Sequence, residues 1–272
     1  LTAGCEEAVA PVLQGNRPFS LYGYLDPGAD QQAIRVFPID QLLQHNDPVP
    51  LAATVHITGP TGSALLRDSV VTFWDETFGH VYHGAFSPAF GNTYVVRAEE
   101  PGGRSTTVSV RIPQRASLTT GDVEGVLGNV YFPVEFSDAE QILRPRVLYS
   151  IESTRAPFKW TIPVVYSNYI VRSENRWSIL VNLSRDIGVI FSVTGLVPGR
   201  DKVTLTNLSV EAFITTSEWT PPGGEFDSEL LVQPGTFSNV ENGFGFVGGG
   251  YFETAHTLPP AEKLRLAGFA NQ

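Results

Sequence analysis

One cysteine, Cys5, is all that 272 residues contain, and it stands close to the start. A lone thiol closes no internal disulfide, so no covalent staple is expected to support the fold. Its position within an extended leading segment also argues against a cysteine nucleophile in the body. Methionine is absent, and only three of the 18 basic residues are lysine. No run of about 20 apolar residues occurs, so no helix is expected to span a membrane. The chain carries no GxSxG elbow, no HExxH helix and no kinase signature. Acidic residues outnumber basic ones 28 to 18, and a formal charge of −10 argues against nucleic acid as a partner.

What is present is ample material for a core: 42% hydrophobic residues, including 17 phenylalanines. Residues 5–16, with Pro11 and Gly15 and no sustained period, read as a tether. Beyond it, short β-rich runs alternate with turn clusters. Phe19–Leu25, Ala33–Phe37, Ala53–Thr58, Ser69–Trp74, Asn92–Ala98 and Thr106–Ile112 are strand-like, and one helical turn is expected over Ile39–His45. This spacing predicts an immunoglobulin-like or fibronectin-like sandwich over 17–115, closed by Pro113, with 114–121 as a linker. Over 122–272 the same texture predicts a second all-β domain, a sandwich or open barrel. Its expected strands are Val147–Ile151, Trp160–Tyr166, Trp177–Leu183, Val189–Val193, Lys202–Leu205 and Leu208–Ile214. Gly188 and Pro163 fall inside such strands, which favours edges or bulges there. A short terminal helix is expected over Pro259–Leu266, with prolines where the missing N–H is harmless and Gly268 beyond its end.

Few motifs point to chemistry. Gly243, Gly245 and Gly248 match GxGxxG by letter, but Tyr251-Phe-Glu-Thr follows in place of a helix. The glycines are therefore expected to build a tightly packed strand between phenylalanines. His80 and His83, three apart on a strand or turn, fall on opposite faces and do not converge on a metal. The acidic pairs Asp75-Glu76 and Glu99-Glu100 point apart for the same reason, so they define no hydrolase dyad. No catalytic residue, metal or cofactor is expected.

The start of the chain carries a resemblance. Leu1-Thr2-Ala3-Gly4-Cys5 resembles the lipobox of bacterial lipoproteins, although Leu1 lies four places before the cysteine and Thr2 holds the usual aliphatic position. The resemblance implies that residues 1–4 are the remnant of a signal peptide and that Cys5 is the acylated first residue of the mature protein. Each buried methylene contributes about 0.8 kcal/mol, so multiple acyl chains hold a protein firmly to a bilayer. Glu6 and Glu7 resemble the acidic export signal that sends Bacteroidota lipoproteins to the outer face of the outer membrane.

Leu21-Tyr-Gly-Tyr-Leu25, Ala52–Ile57, Asn92–Arg97 closing at Ile112-Pro113, and Asn239–Gly248 together resemble an uncharacterised Bacteroidota outer-membrane lipoprotein family. That family is defined only by a domain of unknown function and is often encoded beside TonB-dependent receptors. It implies an accessory or binding subunit partnered with the lipid bilayer through Cys5 and with an outer-membrane β-barrel protein. An anchored glycan-processing enzyme and a purely structural envelope component are the alternatives. Residues 120–235 carry nothing diagnostic of any of them.

Overall fold

The computed structural model describes residues 17–39, 49–72, 78–174, 176–221 and 238–271. Cys5, Glu6, Glu7 and the tether lie outside the described residues, as do Asp75, Glu76 and all but Ile39 of the helical turn expected over Ile39–His45.

The protein is all-β with a short C-terminal helix, as the strand periodicity implies. Seven strands come first: β1 (Phe19–Leu25), β2 (Gln31–Pro38), β3 (Thr54–Gly59), β4 (Gly62–Thr72), β5 (Phe78–Ala85), β6 (Thr93–Glu99) and β7 (Ser105–Arg111). Period-two burial marks β2, β3, β6 and β7, whereas β1 is buried along most of its length. In β6, Tyr94, Val96 and Ala98 are fully buried while Thr93, Val95 and Arg97 face out.

The long strand β4 turns the corner of the sandwich. Its first half, to Leu66, pairs with β3, and its second half, from Arg67, pairs with β5. A strand that changes partners in this way lets one continuous sheet fold over its own core. That core holds Leu21, Leu25, Ile34, Val36, Ile57, Tyr82, Val108 and Ile112.

The second half contributes β8 (Ser117–Thr120), β9 (Glu124–Val126), β10 (Asn129–Ser137), β11 (Gln141–Ser153), β12 (Ala156–Val165), β13 (Ile170–Ser173), β14 (Arg176–Asn182), β15 (Val203–Thr215) and β16 (Gly243–Thr257). Helices α1 (Leu183–Thr194) and α2 (Ala261–Ala267) and a 3-10 turn (Ser167–Tyr169) complete the described elements. A five-stranded sheet, β13-β14-β10-β8 with β9 also on β10, faces β11 and β15 across a second core. Phe132, Phe136 and Val181 meet Tyr149, Leu208 and Val210 there.

Strand β16 joins the two cores. Gly243–Gly249 run parallel to β1, and Gly250–Thr257 run antiparallel to β15. The result is one 11-stranded sheet in the order β12-β11-β15-β16-β1-β2-β5-β4-β3-β6-β7. Arg111, ending β7, adds a polar link: Nη1 and Nη2 each donate to Glu140 at 2.7 Å, and Nε donates to Glu218 at 3.0 Å.

Three expectations change. Val189–Val193 is helix, not strand, because Leu183, Asp186, Ile187 and Ile190 bury at helical spacing. Asn182 Oδ1 caps that helix by accepting from Arg185 N–H at 3.0 Å, and Gly195 ends it in the left-handed region. Gly188 therefore lies within a helix, on a side where an added Cβ would meet nothing. The stretches 202–205 and 208–214 are one strand, bulged at Thr206 where Ser150 pairs with Asn207 and Ile151 with Leu205. Residues 117–120, read as part of a linker, form β8. Pro163 does lie on a sheet edge, in β12.

Candidate functional site

The pairings β1–β2 and β6–β7 bring Phe19, Pro38, Glu99 and Ser105 to one end of the N-terminal sandwich. A cleft of about 450 Å³ opens there. Its walls are Pro18, Phe19, Pro38, the run Val49–Ala52 and Pro101, and its titratable groups are His80 and Glu100.

Hydrogen bonds explain the shape of the wall. Asp68 on β4 and His80 on β5 are diagonal neighbours, since Val70 pairs with His80 and Asp68 with Tyr82. His80 Nδ1 lies 2.9 Å from Asp68 Oδ2, and the same oxygen accepts from Leu51 N–H at 2.8 Å. Tyr82 donates to the Leu51 carbonyl at 3.1 Å. Leu51 is thus gripped at both backbone groups, which fixes the run 49–52 beside the imidazole. Burial, reinforced by the Asp68 carboxylate, pushes the Tyr82 phenol well up, so it stays a donor.

Against an ionised carboxylate, which only accepts hydrogen bonds, Nδ1 of His80 is the donor. Among the described residues, Asp68 Oδ1 is buried without a hydrogen-bond partner. The pair therefore places an imidazole backed by a carboxylate against an apolar cleft. Glu100, across the cleft, is held by Arg104, whose Nη2 donates at 2.9 Å while its Nε contacts the other carboxylate oxygen.

A second polar cluster is closed. Asp186 of α1 is fully buried and accepts from Tyr149 and Tyr166 hydroxyls at 2.5 and 2.6 Å on Oδ2. Arg185 Nε and Nη2 donate to Oδ1 at 2.9 and 2.7 Å. With both oxygens taken up by the protein, this cluster is a bolt between sheet and helix, not an opening for a ligand.

The strand predicted through the glycine string is β16. Gly245 has φ +105°, and a Cβ there would strike the Leu21 carbonyl of β1. Phe246 enters an aromatic cluster with Tyr22, Phe213 and Trp219, while Val247 faces the N-terminal core. Both faces are packed and no helix follows, so the string builds the sheet and cradles no phosphate.

His80 and His83 lie on opposite faces of β5, the first buried and the second exposed. Glu99 pairs with Arg97 and Glu100 with Arg104, so those two acids diverge. His256 Nδ1 meets Ser209 Oγ at 2.8 Å, far along the chain from the cleft residues. The Asp68–His80 pair escaped sequence reasoning because only the β4–β5 register makes residues twelve apart into neighbours. No family model and no curated protein matches the chain.

Proposed function

We propose that this protein is an outer-membrane lipoprotein of the Bacteroidota family it resembles. It is anchored by acyl chains on Cys5, carried to the outer face by Glu6 and Glu7, and works as a binding or accessory subunit of a β-barrel receptor or transporter. The observation that carries this reading is the position of the cleft. It lies at the end of the sandwich where the chain arrives from its leading segment, through Pro18 and Phe19. Eleven residues lie between Cys5 and Arg17, so the twelve Cα–Cα steps reach at most about 43 Å when extended. An anchor at Cys5 accordingly keeps the cleft near the membrane surface, within range of a barrel mouth.

Capture is favoured over glycan hydrolysis by the carboxylates near this end and at the domain junction. Glu100, Glu140 and Glu211 are each taken up by an arginine, Arg104, Arg111 and Arg146 respectively. A carboxylate already engaged by a guanidinium is poorly placed to protonate a leaving group. For Glu140 the Arg111 guanidinium pulls the carboxyl below its usual range.

The deciding experiment is affinity purification from native outer membranes, with mass spectrometry of the eluate. A β-barrel protein recovered in near-stoichiometric amount supports the subunit reading. Recovery of the protein alone from gently solubilised membranes would count against it.

A further inference from the structure

We infer that the tip of the β9–β10 hairpin is a knob that seats in an aliphatic socket on the β-barrel partner, an inference that rests on reading the protein as a barrel-associated subunit. Val126 pairs with Asn129, so Leu127 and Gly128 form a two-residue turn, with φ +49° and +82°. Asparagine followed by glycine suits such a turn, and a bulky side chain at its first position strains the backbone. Burial does not offset the strain: Leu127 is 96% exposed, and no other large apolar side chain among the described residues exceeds 66%. Strain that the fold does not use points to a use outside it.

Two further aliphatic side chains enlarge the tip. Val126 is half exposed, as is Leu266 of α2, which lies against Gly125, where an added Cβ would come within 2.9 Å of the Leu266 Cδ2. A convex cluster of this kind needs a concave apolar partner. A second copy does not provide one: tip against tip, three side chains fall well short of the roughly 800 Å² per partner of a stable interface. The anchoring bilayer fits no better. Asp122 and Glu124 are exposed beside the tip and the chain's formal charge is −10, so anionic head groups repel this surface. Strand β16 also sets the knob apart from the tether. It pairs with Phe19 at Gly243 and runs 15 residues to Thr257, just before α2, a length of about 50 Å. Outer-membrane barrels carry their longer loops on the extracellular side, away from the lipid, where such a knob can reach them.

The test compares the full-length wild type with Leu127→Asn and with Leu65→Thr, which removes another exposed leucine, on β4. Each is purified by affinity from native outer membranes, and the barrel recovered is quantified by mass spectrometry. Leu127→Asn relaxes the turn, so a loss of binding is not a loss of fold. Barrel recovery is expected to fall at least about tenfold for Leu127→Asn and to stay unchanged for Leu65→Thr. Replacing Leu127 with the photoreactive p-benzoylphenylalanine should cross-link the barrel on irradiation, and the same replacement of Leu65 should not.

Undiminished recovery with Leu127→Asn, an equal fall with Leu65→Thr, or no cross-link from position 127 would each overturn the inference and leave the subunit reading standing. Failure of the wild type to recover any barrel would overturn both. Two other outcomes would assign the knob elsewhere and so also overturn the inference. One is flotation of the unacylated Cys5→Ser protein with phosphatidylethanolamine–phosphatidylglycerol vesicles, lost when Leu127→Asn is added. The other is a dimer in sedimentation that Leu127→Asn dissociates.

Discussion

Tyr149 donates its phenolic proton to Asp186 across 2.5 Å, and this bond ties strand β11 to helix α1 in the middle of the second core. Burial first, then the neighbouring carboxylate, pushes the Tyr149 and Tyr166 hydroxyls well above their ordinary range. An unfolded tyrosine ionises near about pH 10, whereas the folded pair keeps its protons beyond that. Above pH ~10 the native state therefore binds more protons than the unfolded state, and stability falls as pH rises. Urea unfolding should show constant stability up to about pH 9.5 and a decline above it. Tyr149→Phe should weaken the protein by about 1–3 kcal/mol at neutral pH and flatten the alkaline decline. An unchanged slope in the variant would show that this phenol does not carry the effect.

Gly245 approaches β1 so closely that no side chain fits, and its φ of +105° belongs to the region glycine adopts freely. Gly245→Val should destabilise by about 1–3 kcal/mol through strain and overlap with the Leu21 carbonyl. Nucleotides should leave the thermal midpoint of the wild type where it is. A saturable nucleotide shift lost in a folded Gly245→Val protein would restore the phosphate reading.

Leu127 occupies the tip of the β9–β10 hairpin with φ +49°, followed by Gly128 at +82°, and 96% of its surface is exposed. Two-residue hairpins of this hand favour asparagine first, because a bulky side chain is strained at positive φ. Leu127→Asn should raise stability by about 0.5–1 kcal/mol, measured as a higher thermal midpoint. A lower midpoint would mean that the leucine makes a contact its exposure hides.

Cys5→Ser in the full precursor should move the protein from the membrane to the soluble fraction, while intact mass of the native form shows acyl chains. Equal retention of the variant, with an unmodified native mass, would remove the anchor. Replacing Glu6 and Glu7 with alanine should keep the lipid but lower protease accessibility on whole cells. Unchanged accessibility would reduce the two acids to a solvated part of the tether.

Much of the strand content was legible in the amino-acid order. Alternation in 93–99 and 105–111 marks a hairpin because a strand buried on one face shows a period of two. The Pro101-Gly-Gly103 cluster marks its turn. Helix α1 was not legible as such. Val189-Ile-Phe-Ser-Val193 is β-branched and apolar, and a short apolar run does not distinguish strand from helix by period alone. What decided it was burial of Asp186, whose partners Tyr149 and Tyr166 come from β11 and from the residue that follows β12. Strand β10 was also missed, because Pro133 interrupts its pattern. The proline is tolerated between the stretch paired to β9 and the stretch paired to β8, where its carbonyl accepts from Gly121 N–H at 2.8 Å.

The cleft shows the same division. Composition, local period and turn residues by themselves determined the all-β class, the terminal helix and the structural character of the glycine string, because each depends on contacts within a few residues or on backbone freedom alone. The parallel union of β1 with β16, more than 200 residues apart, and the meeting of Asp68, His80 and Leu51 were decided only by tertiary structure. Register between strands sets which side chains become neighbours, and a slip of one residue would turn His80 from the cleft to the opposite face of the sheet.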